Sequence, residues 1–348
     1  MSFQVIIQPS KHQFPVEPGQ TVLDAALAAG IVLPYSCRNG ACSTCKGKVV
    51  SGEFDAGQYP AQILSPEELA DGYTLFCQAR PASDLVVEST EVRLASDIQI
   101  RKLPSRVQTL ERVAPDVTVI KLQLPASEQF RYYAGQYIEI ILKDGRRRSY
   151  SMAGAPHTGS PLELHIRHMP GGVFTDHVFG AGDTQMKERE ILRLEGPFGS
   201  FFLREDSDKP IVLLASGTGF APVKAIVEHM IHKNITRPVA LYWGGRRPQD
   251  LYMDALARSW SAQLPNLRYV PVVSNSLQED NWTGRTGFVH EAVMQDIADL
   301  SGHQVYACGT PLMVDAARRE FSAQNGLPPE EFYADAFTSE ADLAKAGS

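Results

Sequence analysis

Four cysteines carry the first chemistry legible in this chain. Cys37, Cys42 and Cys45 stand at C-x4-C-x2-C spacing, and Cys77 follows after an intervening helix-and-strand segment. Thiolates are the soft ligands that iron–sulfur centres take, and this run is the ligand pattern of a plant-type [2Fe–2S] cluster. The small residues Gly40, Ala41, Ser43 and Thr44 between them let backbone N–H groups turn toward the sulfides. Buried free thiols, a disulfide pair and a zinc site are the competing readings. Zinc favours paired C-x2-C hooks, and the chain has one. A disulfide framework suits a short secreted chain, not one of 348 residues.

A second group lies mid-chain. Arg148-Ser149-Tyr150-Ser151 sets an arginine, a ring and a hydroxyl on one extended stretch. Such a stretch can serve a flavin nucleotide, with Arg148 on pyrophosphate, Tyr150 stacking and Ser151 bonding the ring edge. An ordinary surface strand reads the same way. His165 and Arg167 flank Ile166 and so share a strand face, either as ligands or as two solvated side chains. Gly171, Gly172 and Thr175 stand where a helix opens, which makes either an anion site or a plain turn and cap.

A third group follows a continuous apolar run at residues 211–215. Ser216-Gly217-Thr218-Gly219-Phe220-Ala221-Pro222 is weak as a lone Gly-x-Gly, but a strand before it and a helix after it favour a phosphate loop. Pro222 stands where the six-residue fingerprint has its last glycine. Cys308-Gly309-Thr310-Pro311 occupies the corresponding turn of a later strand, at the sheet edge where ligands bind. Cys308 reads as a plain buried cysteine or as the neighbour of a nicotinamide. Gly244-Gly245-Arg246-Arg247-Pro248-Gln249-Asp250 follows the strand that should meet the adenine ribose. Asp250 suits a free 2′-hydroxyl, and Arg246 and Arg247 suit a 2′-phosphate. The expectation is NADH, with NADPH as the alternative.

These residues need three kinds of scaffold, and the chain is long enough for two or three domains. Through about residue 88 it reads as short strands with two capped helices. Thr21 with Asp24 opens the first, and Ser65-Pro66 opens the second. Residues 105–206 read as many short strands punctuated by Gly135, Gly145, Gly159 and Gly171, the pattern of a small antiparallel barrel. From Pro210 strands alternate with helices, including 222–233, 250–260, 290–300 and 311–325, as in a doubly wound parallel sheet. The expected division is 1–90, a linker at 91–103 ending before Pro104, 104–206, and 207–348. The fold class is therefore multidomain, α+β and α/β. A net charge of −7 argues against nucleic acid or an anionic membrane as partner. No apolar run reaches the ~18 residues of a membrane span. With four of five cysteines assigned to iron and no signal peptide evident, a reduced, cytoplasmic compartment is expected.

The three motif sets, in this order, resemble the ferredoxin–NADP reductase superfamily, specifically its members with an N-terminal plant-type ferredoxin domain. These include reductase components of bacterial aromatic-ring oxygenases and monooxygenases, and reductases of CDP-6-deoxy-glucoseen. The resemblance covers residues from about 3 to 338. It implies a β-grasp ferredoxin domain, an antiparallel β-barrel FAD domain and an NAD domain. It implies that Cys37, Cys42, Cys45 and Cys77 hold the cluster. Arg148, Tyr150 and Ser151 match its R-x-Y-S flavin motif, and His165 and Arg167 its next flavin strand. Gly171, Gly172 and Thr175 match its pyrophosphate loop, and Gly217, Thr218 and Gly219 its pyridine-nucleotide loop. Cys308 and Gly309 match the turn beside the nicotinamide. Phe337 resembles the aromatic residue capping the flavin, although eleven residues follow it here. Ser151, Cys308 and Phe337 would be the residues at the reacting atoms.

The function so implied is electron transfer from NADH through FAD and the cluster to a partner protein docking near Cys37–Cys45. The expected partner is the terminal oxygenase or P450-type component of a monooxygenase or dioxygenase, and the alternative is a deoxysugar dehydratase. A redox sensor or scaffold is a third class, disfavoured by the complete flavin and nucleotide motifs. The first 90 residues hold five Lys/Arg against nine Asp/Glu, so a basic docking face on the partner is plausible.

Overall fold

The structure is a computed structural model and describes residues 2–89, 91–94 and 98–337. They fall into two compact units, one made of residues up to Ile98 together with 335–337, the other of Gln99–Ala334.

In the first unit, β1 (Phe3–Gln8) pairs antiparallel with β2 (Gln13–Val16). Helix α1 (Val22–Ala28) follows, then β3 (Ile31–Val32), β4 (Lys46–Ser51) and β5 (Phe54–Asp55). Helix α2 (Pro66–Ala70), β6 (Tyr73–Leu75), β7 (Arg80–Pro81), β8 (Leu85–Glu88) and β9 (Arg93–Leu94) complete it. The five-stranded sheet has order β2-β1-β8-β4-β6, with β1 parallel to β8. That is the expected β-grasp arrangement. Both helix starts form as their residues dictate. The Thr21 hydroxyl accepts from the Asp24 amide at 3.1 Å, and Ser65 and Glu68 make a reciprocal capping box with Pro66 in the first turn.

In the second unit, the barrel is built from β10 (Arg101–Ala114), β11 (Val117–Gln123), β12 (Tyr137–Ile141), β13 (Arg147–Ser151), β14 (Leu162–Arg167) and β15 (Ile191–Phe198), with helix α3 (Val173–Phe179) after β14. The order is β13-β12-β15-β10-β11-β14, and an antiparallel bridge from Met152 to Leu164 joins the two ends. The stretch 91–103 is partly strand: Arg93–Leu94 pairs with Ile31–Val32, and 101–103 belongs to β10. Pro104 lies inside β10 because that end is paired only with β15; pairing with β11 begins at Arg106. A proline without an N–H is tolerated where one side of a strand is open.

The nucleotide-type half follows as β16 (Ile211–Ser216), α4 (Phe220–Lys233), β17 (Val239–Gly245), α5 (Asp254–Gln263), β18 (Leu267–Val273), β19 (Arg285–Thr286), α6 (Val289–Asp296), β20 (Gln304–Gly309), α7 (Pro311–Asn325) and β21 (Phe332–Ala336). The sheet order is β19-β18-β17-β16-β20-β21. Residues 211–215 of β16 are fully buried, as a central parallel strand requires. The chain reverses its direction of travel between β16 and β20, and the crevice at such a switch point is where α/β sheets bind ligands. Two helices differ from expectation. The one expected at 250–260 starts at Asp254, because the Asp250 carboxylate closes the preceding turn on the amides of Arg246 and Arg247. The one expected at 290–300 stops at Asp296, where Asn325 Nδ2 donates to the carbonyls of Ile297 and Ala298. Among the described residues no helix is long and apolar enough to cross a membrane.

Candidate functional site

Cys37, Cys42 and Cys45 lie on the loop between β3 and β4, and Cys77 follows β6. Helix α1 pins the second piece: its Val22 and Leu23 amides donate to the carbonyls of Ala79 and Phe76, each at 2.9 Å. The loop is wound by left-handed backbone at Arg38, Gly40 and Ser43. An added Cβ on Gly40 would stand 3.2 Å from the Gln58 carbonyl. The winding points N–H groups inward, and the Cys37 amide donates to Cys42 Sγ at 3.4 Å. Cys42, Cys45 and Cys77 are buried and Cys37 is half-buried. All are free thiols, which removes the disulfide reading. They stand as two couples. The hydrogen bond from Cys37 brings the Cys42 thiol down to about 6 and drives that of Cys37 up. Cys45 likewise lowers Cys77, while its own thiol rises. Among the described residues no three ligating side chains gather about one point. Two couples are what a binuclear iron centre takes, so the quartet fits the cluster.

In the second unit, β14 turns Leu162, Leu164 and Ile166 into the barrel core and Glu163, His165 and Arg167 outward. His165 is buried, its ring bonded on both sides, to Tyr252 Oη at 2.8 Å and Glu163 Oε1 at 2.9 Å. Burial keeps its pKa below the ordinary value. Burial alone would raise Glu163, but the His165 hydrogen bond and the Lys224 charge bring it to about 2. Arg167 lies 3.1 Å from the Asp116 carboxylate, yet its buried Nε and Nη2 have no hydrogen-bond partner among the described residues. A half-buried guanidinium with a spare donor suits a pyrophosphate, and this is the observation that fits a flavin dinucleotide here. On β13, Arg148 Nη1 donates to the Arg147 carbonyl at 2.8 Å. The Tyr150 ring packs on Phe174 of α3 at 5.4 Å, and Ser151 is buried.

The 171–175 loop is bonded within itself. The Gly171 amide donates to Asp176 Oδ2 at 3.1 Å and the Gly172 amide to the Met169 carbonyl. The Thr175 hydroxyl bonds the Met169 and Gly172 carbonyls. These groups staple the turn. Asp250 is likewise turned inward: it is 7% exposed and its Oδ2 holds the Arg246 and Arg247 amides at 2.8 and 3.1 Å. Its Oδ2 is thus taken up by its own turn. Arg247 is clamped by Asp280 and Glu279, while Arg246 is largely exposed.

The glycine loop and the Cys308 turn meet as close backbone. A Cβ on Gly219 would fall 2.1 Å from the Cys308 carbonyl oxygen, and one on Gly309 2.1 Å from Ser216 Oγ. Ser216 Oγ accepts from the Thr310 amide at 3.0 Å. A Cβ on Gly217 would fall 2.5 Å from Arg167 Nη1, so the flavin-type strand touches the phosphate-type loop directly. Thr218 is half-buried, Cys308 fully buried. Pro222 sits in the first turn of α4, where its missing N–H has no helical partner to lose. Phe337 is half-buried just after β21. Sequence reasoning missed Tyr252, Glu163 and Lys224. The signal for Lys224 was a lone cation on the apolar face of α4, where Phe220, Val223 and Val227 are buried.

A thiol quartet, a flavin-type barrel and a switch-point crevice in one chain define an iron–sulfur flavoprotein oxidoreductase. Residues 5–82 match the 2Fe-2S iron-sulfur cluster binding domain family, 104–203 the oxidoreductase FAD-binding domain and 213–319 the oxidoreductase NAD-binding domain. The chain is 43% identical over 337 residues to the CDP-6-deoxy-L-threo-D-glycero-4-hexulose-3-dehydrase reductase of Yersinia pseudotuberculosis, covering 97% of this chain and 99% of that one. It is 35% identical to a terephthalate 1,2-dioxygenase reductase component of Comamonas, covering 97% and 98%. The crystal structure of the Amycolatopsis cytochrome P450 reductase GcoB superposes with a TM-score of 0.76 at 35% identity, covering 97% and 99%. The chain belongs to the ferredoxin–NADP reductase superfamily, among the reductases that carry a [2Fe–2S] domain. It is an NAD(P)H-dependent oxidoreductase that uses a [2Fe–2S] cluster and FAD to pass electrons to a partner protein.

Proposed function

We propose that the protein draws electrons from NADH and delivers them singly to the terminal oxygenase or P450-type component of a monooxygenase or dioxygenase. The observation that carries this is the two-couple thiol site sharing one chain with the Arg167–Gly217 contact. When bound, the flavin takes two electrons as hydride and the cluster releases them one at a time. The chain's own part is placement. Arg167 offers its Nη2 donor and its charge to pyrophosphate, and the Gly217–Gly219 backbone accepts the dinucleotide at the switch point. Ser151 and Cys308 are assigned to the reacting end. Arg148 and Tyr150, on the half-buried face of β13, flank the flavin. Hydride transfer needs orientation more than acid–base help.

NADH is favoured because Asp250, Glu279 and Asp280 together outnumber the two arginines that follow β17. Asp280 and Glu279 neutralise Arg247, leaving Arg246 alone to meet a 2′-phosphate. The relatives named as dioxygenase, phenol hydroxylase and O-demethylase reductases support the oxygenase partner. The 43% identity to a sugar-dehydrase reductase favours a second reading, a dehydratase acceptor. Five cysteines with no disulfide among them suit a reducing compartment, the cytoplasm. The test is NADH oxidation by the purified holoprotein coupled in turn to a terminal dioxygenase, a P450 and a deoxysugar dehydratase, with kcat/KM compared for NADH and NADPH. Turnover with the dehydratase alone would replace the first reading by the second.

A further inference from the structure

The outward row of β14 meets the nucleotide-type half of its unit three times, at Arg167, at His165 and, through Lys224 of α4, at Glu163. Arg167 abuts Gly217, and His165 Nδ1 lies 2.8 Å from the Tyr252 hydroxyl. Behind His165, Glu163 Oε1 receives both His165 Nε2 and Lys224 Nζ, at 2.9 and 3.1 Å. Lys224 is 7% exposed and gives its other N–H groups to Glu228 Oε1 at 2.7 Å and the Ala153 carbonyl at 3.3 Å. An ionised carboxylate can only accept, so His165 carries its hydrogen on Nε2 and Nδ1 accepts from Tyr252. The hydrogen bond therefore has one direction, and the network behind it is fully partnered.

Tyr252 is held on its other side by rings. It stands edge-on to Trp243, with centroids 5.2 Å apart at 90°, and edge-on to Phe220. Trp243 lies flat on Phe220 at 3.8 Å and donates from Nε1 to the Gly217 carbonyl at 2.9 Å. A contiguous run of contacts thus leads from the barrel strand to the phosphate-type loop.

We propose that Tyr252 is a positioning residue for hydride transfer. Through its hydrogen bond to His165 it sets the Gly217–Gly219 loop at the spacing from the barrel that a nicotinamide needs. The inference rests on reading the chain as a nicotinamide-dependent flavin reductase. Tyr252→Phe keeps the ring contacts and deletes one hydrogen bond, so it loosens placement more than binding. A displacement of about 1 Å can cost roughly 10²-fold in rate. With the Arg167–Gly217 and Lys224–Glu163 contacts intact, a loss of about tenfold is expected.

The holoprotein is mixed rapidly with NADH under anaerobic conditions and flavin bleaching is followed. Tyr252→Phe should slow the bleaching about tenfold and weaken the long-wavelength absorbance of the nucleotide–flavin contact, while half-saturating NADH stays within about twofold. His165→Asn, which keeps an acceptor where Nδ1 stands, should retain more of the rate than His165→Leu. If wild-type flavin is not bleached by NADH, the underlying reading fails. If it is bleached and Tyr252→Phe matches it in rate and absorbance, or loses affinity instead of rate, the positioning role is overturned.

Discussion

Gly219→Ala isolates how closely the nucleotide loop must pack. The residue has φ −57°, so alanine meets no backbone penalty and the whole effect is contact. Its Cβ would stand 2.1 Å from the Cys308 oxygen, 2.5 Å from the Cys308 carbonyl carbon and 2.9 Å from Gly309 Cα. All three are backbone and cannot swing aside. Ordinary contact begins near 3.4 Å, so the start of α4 and the tip of β20 must part by about 1.3 Å. Overpacking of this kind costs about 1–3 kcal/mol, and misplacement on that scale lowers hydride transfer by roughly 10²-fold. The assay is NADH–ferricyanide kcat/KM beside the thermal midpoint and the flavin and cluster absorbance. The expected result is a loss of about 10- to 100-fold and a lower midpoint, with flavin and cluster absorbance unchanged. An alanine variant within twofold of wild type at an unchanged midpoint would refute the reasoning. Gly159→Ala, left-handed but with open space around it, is the control for backbone strain alone.

Other outcomes follow from the same geometry. Cys42→Ser should abolish cluster absorbance and cytochrome c reduction while sparing ferricyanide reduction; equal loss of both would contradict a two-stage path. Arg167→Ala removes charged donors worth about 1.5–3 kcal/mol, so the FAD Kd, read by fluorescence titration of the apoprotein, should rise roughly 10- to 150-fold; a change under threefold would sink its assignment. His165 is kept neutral by burial, below an ordinary value of 6.5. As pH falls through about 6.5 the unfolded chain takes up a proton that the folded chain refuses, so stability declines. Glu163, held to about 2 against an ordinary 4.5, adds its own loss below that ordinary value. The thermal midpoint should therefore drop on acidification, and His165→Asn should flatten the upper part of the slope; identical slopes would refute it.

The scaffold was legible where local chemistry is self-contained. Thr21 and Ser65 cap the helices they should, and 311–325 is helical to the residue. The cysteine spacing needed no tertiary knowledge, because four thiols and a wound loop are enough. Legibility failed where a side chain faced a choice. Asp250 turns in to its own turn, onto two amides three and four residues upstream. Gly171 and Thr175 take Asp176 and the Met169 carbonyl as partners, which spacing alone does not show. Arg93–Leu94 lacks any strand signature and pairs with Ile31–Val32 across a sequence gap that periodicity does not span. Tyr252 was invisible because its partner His165 lies 87 residues away.

The stack of Trp243 on Phe220, with the indole N–H tied to the Gly217 carbonyl, also gives the molecule a resident optical reporter. An indole bonded to the loop that receives the dinucleotide will change its emission whenever that loop is strained or relaxed. Occupancy of the crevice can thus be watched in the unlabelled protein, at wavelengths where neither iron nor flavin needs to turn over.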